Sequence, residues 1–472
     1  MILYEKEITV PLVGHHERLL DHLSEVILER LPRSEIPVRV AVTLTDEKGY
    51  HCELGILSGA DHFFDEMRGA IFQFQRRGFE NTGQFNAVLI VPTGVGAEIG
   101  GHSGDAGSVA RLLASACDNL ITHPNVVNAS DINELPENGL YVEGSVLARF
   151  LMGTVSLQKV RANRVLLVID KHADKFFYES AVNSASAARS SLGLDCPGVV
   201  MLEDKMLMRS LYSSSGRAVG KIDYFERVYD VLTKYRPQYD AVALSSVIKV
   251  PENFHTDYYL KDMINPWGGV EAMLTHAISL MFNIPSAHSP MLETRQILDL
   301  ELGVIDPRKA AEIVSVTFLH SILKGLQKSP KILNGMAPLG CPGVLTAADV
   351  SCVIIPDGCM GLPILAALEQ GIPVIAVREN KNRMRNNLEE FPFDTGRLFL
   401  VDNYLEAVGV MSALKAGVSV ESVRRPLKYT NVYEETASCA ARETSKKPLK
   451  FAKGIDDVEE DLLRKEGSKA VR

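Results

Sequence analysis

The feature that most restricts this chain is a recurring unit in which an apolar strand that does not alternate is followed by a glycine turn and a helix. It appears as AVLIVPTG then SVARLLASACDN, as RVLLVIDK and DAVALSSVIKV, and as VSCVIIPDG, LPILAALEQG and IPVIAV. A strand apolar on both faces belongs in a parallel sheet covered by helices on both sides. The pattern predicts an α/β fold of two doubly wound, Rossmann-like lobes with largely parallel sheets. Val38 to Thr43 and Tyr50 to Leu57 read as two strands around the turn DEKG, with a helix near 60–77 and another near 176–191.

The organisation that follows has three parts. Residues 1–160 form an N-terminal α/β lobe carrying a glycine-rich loop. Residues 161–415 form a second α/β lobe with a helical insertion near 256–327 and a final helix at 401–416. Residues 416–472 form a polar, loose tail.

Charge and cysteine usage narrow the setting. A net charge of -9 over 472 residues opposes a nucleic-acid or anionic-membrane surface, so neither is expected as a partner. The local basic run Arg378, Lys381, Arg383 and Arg385 reads as a solvated loop. The first residues lack the basic-then-apolar order of a secretion signal, and no apolar run nears the roughly 20 residues that span a bilayer. Seven scattered cysteines fit reduced thiols, and the expected location is the cytosol or plastid stroma. Assembly into a homo-oligomer is left open, and no cofactor is singled out.

The richest segment is PTGVGAEIGGHSGDAGSVARLLASACDNLITHPNVVNASD. Six glycines lie between Gly94 and Gly107 where a strand gives way to a helix. Amides of Gly94, Gly96, Gly100, Gly101 and Gly104, with the helix start near Ser108, suit a phosphate or carboxylate. The spacing is not a dinucleotide fingerprint and no P-loop lysine follows. A tight turn against a packed helix demands glycine as well.

Glu98, His102, Ser103 and Asp105 lie in this loop, and His123, Asn125, Asn128 and Asp131 follow the next strand, at the end where open α/β sheets bind ligands. His102 and His123 with Glu98, Asp105 or Asp131 suit acid–base work or a divalent metal. The duller readings are a cap at Asp105, turns at Asn125 and Asn128, and structural histidines. Glu143 in VEGSVLARFLMG is either a further candidate or a helix cap.

A second constellation holds Cys341 and Cys359, each in a Gly-Cys-x-Gly context, with Gly358 and Gly361 at the turn. A thiol at a helix start can act as nucleophile or base. This resembles cofactor-independent racemases, although those draw one cysteine from each lobe. Buried structural cysteines are the alternative. Asp349 to Asn380 is similar to the donor half of two-lobed glycosyltransferases, but Pro363, Ile364 and Leu365 stand where a ribose-binding glutamate is expected. Asn265-Pro-Trp-Gly-Gly-Val-Glu271 is a third glycine turn entering a helix, with His288 downstream.

Through PTGVGAEIGGHSGDAG, THPNVVNASD, EGSVLARF and GIPVIAVREN, the chain resembles a family of uncharacterised proteins, a domain of unknown function found in cyanobacteria, plants and some other bacteria. The resemblance covers most of residues 5–415 and implies no activity. The residues themselves point to an enzyme acting on a small anionic metabolite in an inter-lobe cleft, by isomerase, lyase or group-transfer chemistry. A non-catalytic metabolite sensor, favoured if His102 and His123 turn into packed core, and a nucleotide-sugar glycosyltransferase are the alternatives.

Overall fold

The computed structural model describes residues 1–14, 18–59, 66–251, 254–295, 302–315, 317–338 and 340–432. Residues 1–416 make up one unit and 417–472 a second, of which 417–432 are described and carry a single 3-10 turn, Val420–Val423. The rest of the expected tail, 433–472, lies outside the described residues.

The first sheet is wholly parallel. Its six strands run Leu398–Val401, Val374–Val377, Val350–Pro356, Asn86–Leu89, Asn119–Thr122 and Gly139–Tyr141 across the sheet. Counted along the chain, that order reads 6-5-4-1-2-3, so the direction of winding reverses between Asn86–Leu89 and Val350–Pro356. Every residue of Asn86–Leu89, Asn119–Thr122 and Val350–Pro356 is buried, which is why these strands are mostly apolar and do not alternate. Helix Leu362–Gln370 packs against Gly144–Leu151, and Tyr404–Lys415 against Gly107–Ala114.

The second sheet is mixed, and here the expectation of largely parallel sheets is corrected. Val199–Met201, Val165–Ile169, Ala241–Lys249 and Ser286–Met291 run parallel. Leu207–Tyr212 joins Ala241–Lys249 in parallel, and from it Ala218–Asp223, Ile2–Val10, Gly49–Ser58 and Glu35–Asp46 continue the sheet as antiparallel neighbours. The hairpin at 207–223 carries the alternation of a half-solvated antiparallel strand, with Met208 and Ser210 buried between exposed neighbours. The strand Ser286–Met291 also interrupts the stretch expected to be helical at 256–327.

The helix expected near 60–77 is absent from 66–77, where only the 3-10 turn Ala70–Phe72 occurs; 60–65 lie outside the described residues. Its backbone donors go elsewhere. Gln75 N–H reaches Met152 O at 2.8 Å and Arg77 N–H reaches Gln370 Oε1 at 2.7 Å, so they cannot close i to i−4 rings.

Two close approaches fit the sheets together. Met360–Gly361, just past the carboxyl end of Val350–Pro356, pairs with Ala41 and Val42 at the rim of the mixed sheet. Helix Gly268–Phe282 lies against the 207–223 hairpin because Gly269 and Gly220 carry no side chain: a Cβ on Gly269 would sit 2.1 Å from Ala218 O, and one on Gly220 1.8 Å from Val270 Cγ2. The helix thus roofs the space beyond the parallel strands.

The glycine-rich loop is packed in the same manner. Gly104, at φ +89, would place a Cβ 2.4 Å from that of Ala129, whereas Gly193, at φ +63, has nothing within 4 Å. Gly104→Ala is therefore expected to cost about 3 kcal/mol or more and Gly193→Ala only about 1 kcal/mol, measured by urea unfolding. Equal losses would contradict this packing.

Candidate functional site

A cavity of about 290 Å³ lies beyond the carboxyl ends of the parallel strands. Residues after four of them reach it: Pro92 and Thr93, His123 and Asn125, Glu143, and Cys359. Arg39 and Arg217 from the mixed sheet form another wall, and Trp267, Glu271, Thr275 and His276 from helix Gly268–Phe282 close it. Asn265 starts that helix by accepting the Trp267 amide at 3.0 Å, and Asn283, left-handed at φ +51, ends it.

Glu143 and His276 form the most strongly organised pair. Glu143 caps helix Gly144–Leu151, accepting the amides of Ser145 and Val146 at 3.0 and 3.2 Å and the Ser145 hydroxyl at 2.5 Å. Its other oxygen accepts from Thr275 Oγ1 at 3.2 Å and from His276 Nδ1 at 2.5 Å. Burial alone would push this carboxyl up. The His276 imidazole, above all, together with the Ser145 donors, outweighs burial and holds it down at about 2. An ionised carboxylate at Nδ1 selects the Nδ1–H tautomer, and Nε2 has no hydrogen-bond partner among the described residues. The helix-cap reading of Glu143 holds, and capping the helix aims its free oxygen at His276.

One turn earlier, Glu271 accepts from His288 Nδ1 at 3.0 Å, and His288 Nε2 meets Ser246 Oγ at 2.7 Å. The order serine, histidine, carboxylate is that of a hydrolytic triad, but Ser246 is 2% exposed and does not reach the cavity wall.

Glu312 is the second unusual acid. It is buried on the cavity wall, accepting the Ser103 amide at 2.7 Å and the Tyr258 hydroxyl at 3.0 Å, and burial pushes it up to about 7. Tyr258 in turn meets His102 Nδ1 at 2.8 Å. Arg149, also lining the cavity, donates to Asn283 Oδ1 at 3.0 Å and Ser279 O at 3.1 Å and makes no ion pair among the described residues. Burial lowers it to about 10, so it remains a cation at neutral pH. Among the described residues no group of three or more metal-ligating side chains occurs.

The family model described as "Protein of unknown function (DUF3326)" matches residues 86–424. The chain belongs to the DUF3326 family. An uncharacterized lipoprotein of the cyanobacterium Synechococcus sp. is 34% identical to it over 357 residues, covering 73% of this chain and 96% of the relative. No solved structure matches. The cytosolic or stromal expectation is corrected by this relative, whose name, lipoprotein, points to a membrane-anchored rather than a cytoplasmic protein. No helix among the described residues is long and apolar enough to cross a membrane.

The matched DUF3326 span contains Glu143, Glu271, His276, His288 and Glu312, whereas Arg39 precedes it. Of the residues singled out from sequence, Ser103, His123, Asn125, Asn128, Cys359 and Gly361 reach the cavity. His123 is fixed by the Val91 amide, which donates to Nε2 at 3.1 Å, and burial lowers it to about 4. Asn125 spans Val91 O and Gly100 O, and Asn128 donates to the Tyr141 hydroxyl. Burial drives the Cys359 thiol well above its ordinary value, while Cys341 is exposed and away from the cavity, so the two thiols do not face one substrate.

The glycine loop turns its donors inward. Glu98 N–H goes to Lys381 O, Ile99 N–H to Asn380 Oδ1, Gly100 N–H to Asp105 Oδ1 and Ser103 N–H to Glu312. A Cβ on Gly94, Gly100 or Gly101 would strike Ala218 O, Val91 or Ala97 O, so close packing explains these glycines. Gly96, Glu98 and His102 instead line a second, polar pocket with Arg308, Lys381 and Arg383. Asp131 binds Ser315, Thr317 and the His320 amide, away from both cavities. Gly358 O accepts from Asn386 at 2.8 Å, and the half-buried Asp105 rises to about 7 through desolvation.

Glu143, Glu271, His276 and Glu312 carry the site, yet only proximity in the fold unites them. Glu143 stands out in sequence as a candidate or helix cap and Glu271 as the end of a glycine turn, whereas His276 shows only its helical spacing with Glu271 and Thr275, and Glu312 shows no signal. Glu312 binds its proton more tightly folded than unfolded, so its stabilising contribution is full below about pH 4.5 and is lost as pH rises through about 7. Glu312→Gln is expected to remove on the order of 2–3 kcal/mol of the fall in stability between about pH 5 and pH 8, read by urea unfolding. An unaltered pH slope would contradict a protonated Glu312.

Proposed function

We propose that this DUF3326 protein is an enzyme that moves protons on a small anionic metabolite in the central cavity, by isomerase, lyase or group-transfer chemistry. The observation that carries this reading is His276, anchored through Nδ1 on an ionised Glu143 and left with a bare Nε2 at the cavity. His276 Nε2 is the base, Glu143 orients it and stabilises the imidazolium, and Glu312, near neutrality, is the acid. Two carboxyls of one cavity driven to about 2 and about 7 are what a division between a permanent anion and a proton donor requires.

The anionic character of the ligand rests on Arg149, a buried cation without an ion-pair partner among the described residues, and on the N-terminus of helix Gly268–Phe282. We read the parallel half as a Rossmann-like, doubly wound lobe, because its strand order is that of such folds and the cavity sits where the winding reverses. Nothing in this chemistry depends on a cytosolic location.

The sensor reading has one observation in its favour: His102 and His123 are both buried and hydrogen-bonded. A thermal-shift panel of small carboxylates, phosphates and nucleotide sugars separates the possibilities. A carboxylate or phosphate is expected to raise Tm and to be converted, with His276→Gln retaining the shift while turnover falls roughly 10²- to 10⁴-fold. A ligand returned unchanged would favour the sensor, and stabilisation by nucleotide sugars alone would overturn the proposal.

A further inference from the structure

The cavity and the second pocket are separated by a buried wall, and one chain of hydrogen bonds crosses it. On the inner side stands Glu312; on the outer side His102 lines a pocket of about 250 Å³ with Glu98, Asp262, Arg308, Lys381 and Arg383. Between them lies Tyr258, whose side chain is buried within the wall. Its hydroxyl donates to Glu312 Oε1 at 3.0 Å, so its lone pair accepts from His102 Nδ1–H at 2.8 Å. The donors therefore point one way, from the outer pocket to the cavity.

We infer that His102 and Tyr258 form a proton relay that resupplies Glu312 from the outer pocket. The inference rests on the reading of Glu312 as the acid of the cavity. A proton from water in the outer pocket binds His102 Nε2, the Nδ1 proton passes to Tyr258 Oη, and the tyrosine proton passes to Glu312 Oε1. His102 is left as the neutral Nε2–H tautomer, Tyr258 remains a neutral phenol, and the carboxylate has gained one proton. Rotation of the His102 ring brings Nδ1 to the outer pocket, where it takes a proton from water while Nε2 gives one up, and the tyrosine hydroxyl turns back to Glu312, which resets the chain.

The surrounding charges favour that direction. Around His102, burial, Lys309 and Arg308 lower its affinity to about 4, with Asp306 and Asp262 opposing them, so it passes a proton on rather than holding it. Around Glu312, burial and Glu271 raise the affinity to about 7 against the Ser103 amide, Tyr258 and Lys309. Asp105 and Tyr259 add negative or phenolic neighbours to Tyr258, which holds its own proton firmly. Lys309, buried, fixes the segment by donating to Tyr258 O at 2.6 Å and to Lys261 O.

The test follows the Glu312 carboxyl band by time-resolved infrared spectroscopy after a light-triggered pH drop, with Glu312→Gln identifying the band. Tyr258→Phe and His102→Gln are expected to keep a titrating Glu312 band, displaced in Tyr258→Phe by loss of the tyrosine hydrogen bond, but to slow its appearance roughly 10- to 100-fold. Appearance at the wild-type rate in both variants would overturn the relay, because the cavity alone would then protonate Glu312. If no band titrates near neutrality in the wild type, it is the acid assignment itself that fails. A merely structural role for Tyr258 would displace the band and leave the rate of its appearance unchanged, and that unchanged rate counts against the relay.

Discussion

An ionised carboxylate sealed in a protein interior is tolerated only where several donors converge on it, and Glu143 is held in that way. Two amides and a hydroxyl from the first turn of its own helix, the Thr275 hydroxyl and the His276 ring all meet its two oxygens. This ties the last strand of the parallel half, Gly139–Tyr141, to helix Gly268–Phe282, which packs on the mixed sheet. Removing the carboxylate would unfasten both a helix cap and the ring on which the proposed chemistry rests.

The cavity gains its chemical contrast from the same burial. Glu143 and Glu312 are both shut away from water, and both are carboxyls, yet they end near opposite limits of the range open to them. Donors decide the outcome: Glu143 has five, one of them an imidazole, whereas Glu312 has the Ser103 amide, the Tyr258 phenol, a long contact from Asn265 at 3.5 Å and a nearby Glu271 that repels a second negative charge. A single wall of protein then separates Glu312 from a polar pocket, and a tyrosine hydroxyl bridges it.

Much of the fold was legible because a doubly covered strand leaves an unmistakable apolar run: Val165–Ile169, Ala241–Lys249, Val350–Pro356 and Val374–Val377 all stand where the pattern placed them. The antiparallel hairpin at 207–223 was not legible, since its short alternating strands resemble a solvated loop. The glycine loop carries a second reading for a physical reason. Glycine is required both where a ligand approaches backbone and where backbone approaches backbone, and Gly100, Gly101 and Gly104 serve the second need. The loop still contributes through Ser103, whose amide holds Glu312.

The site itself was largely hidden because His276 and Glu143 lie 133 residues apart, and no local spacing records that they meet. The most direct measurement is nitrogen-15 NMR of the neutral His276 ring in the folded protein. The account predicts an Nδ1–H tautomer with a strongly deshielded Nδ1 proton and an Nε2 that bears only a lone pair, and loss of that proton signal in Glu143→Gln. An Nε2–H tautomer, or a ring signal indifferent to Glu143→Gln, would contradict the central claim.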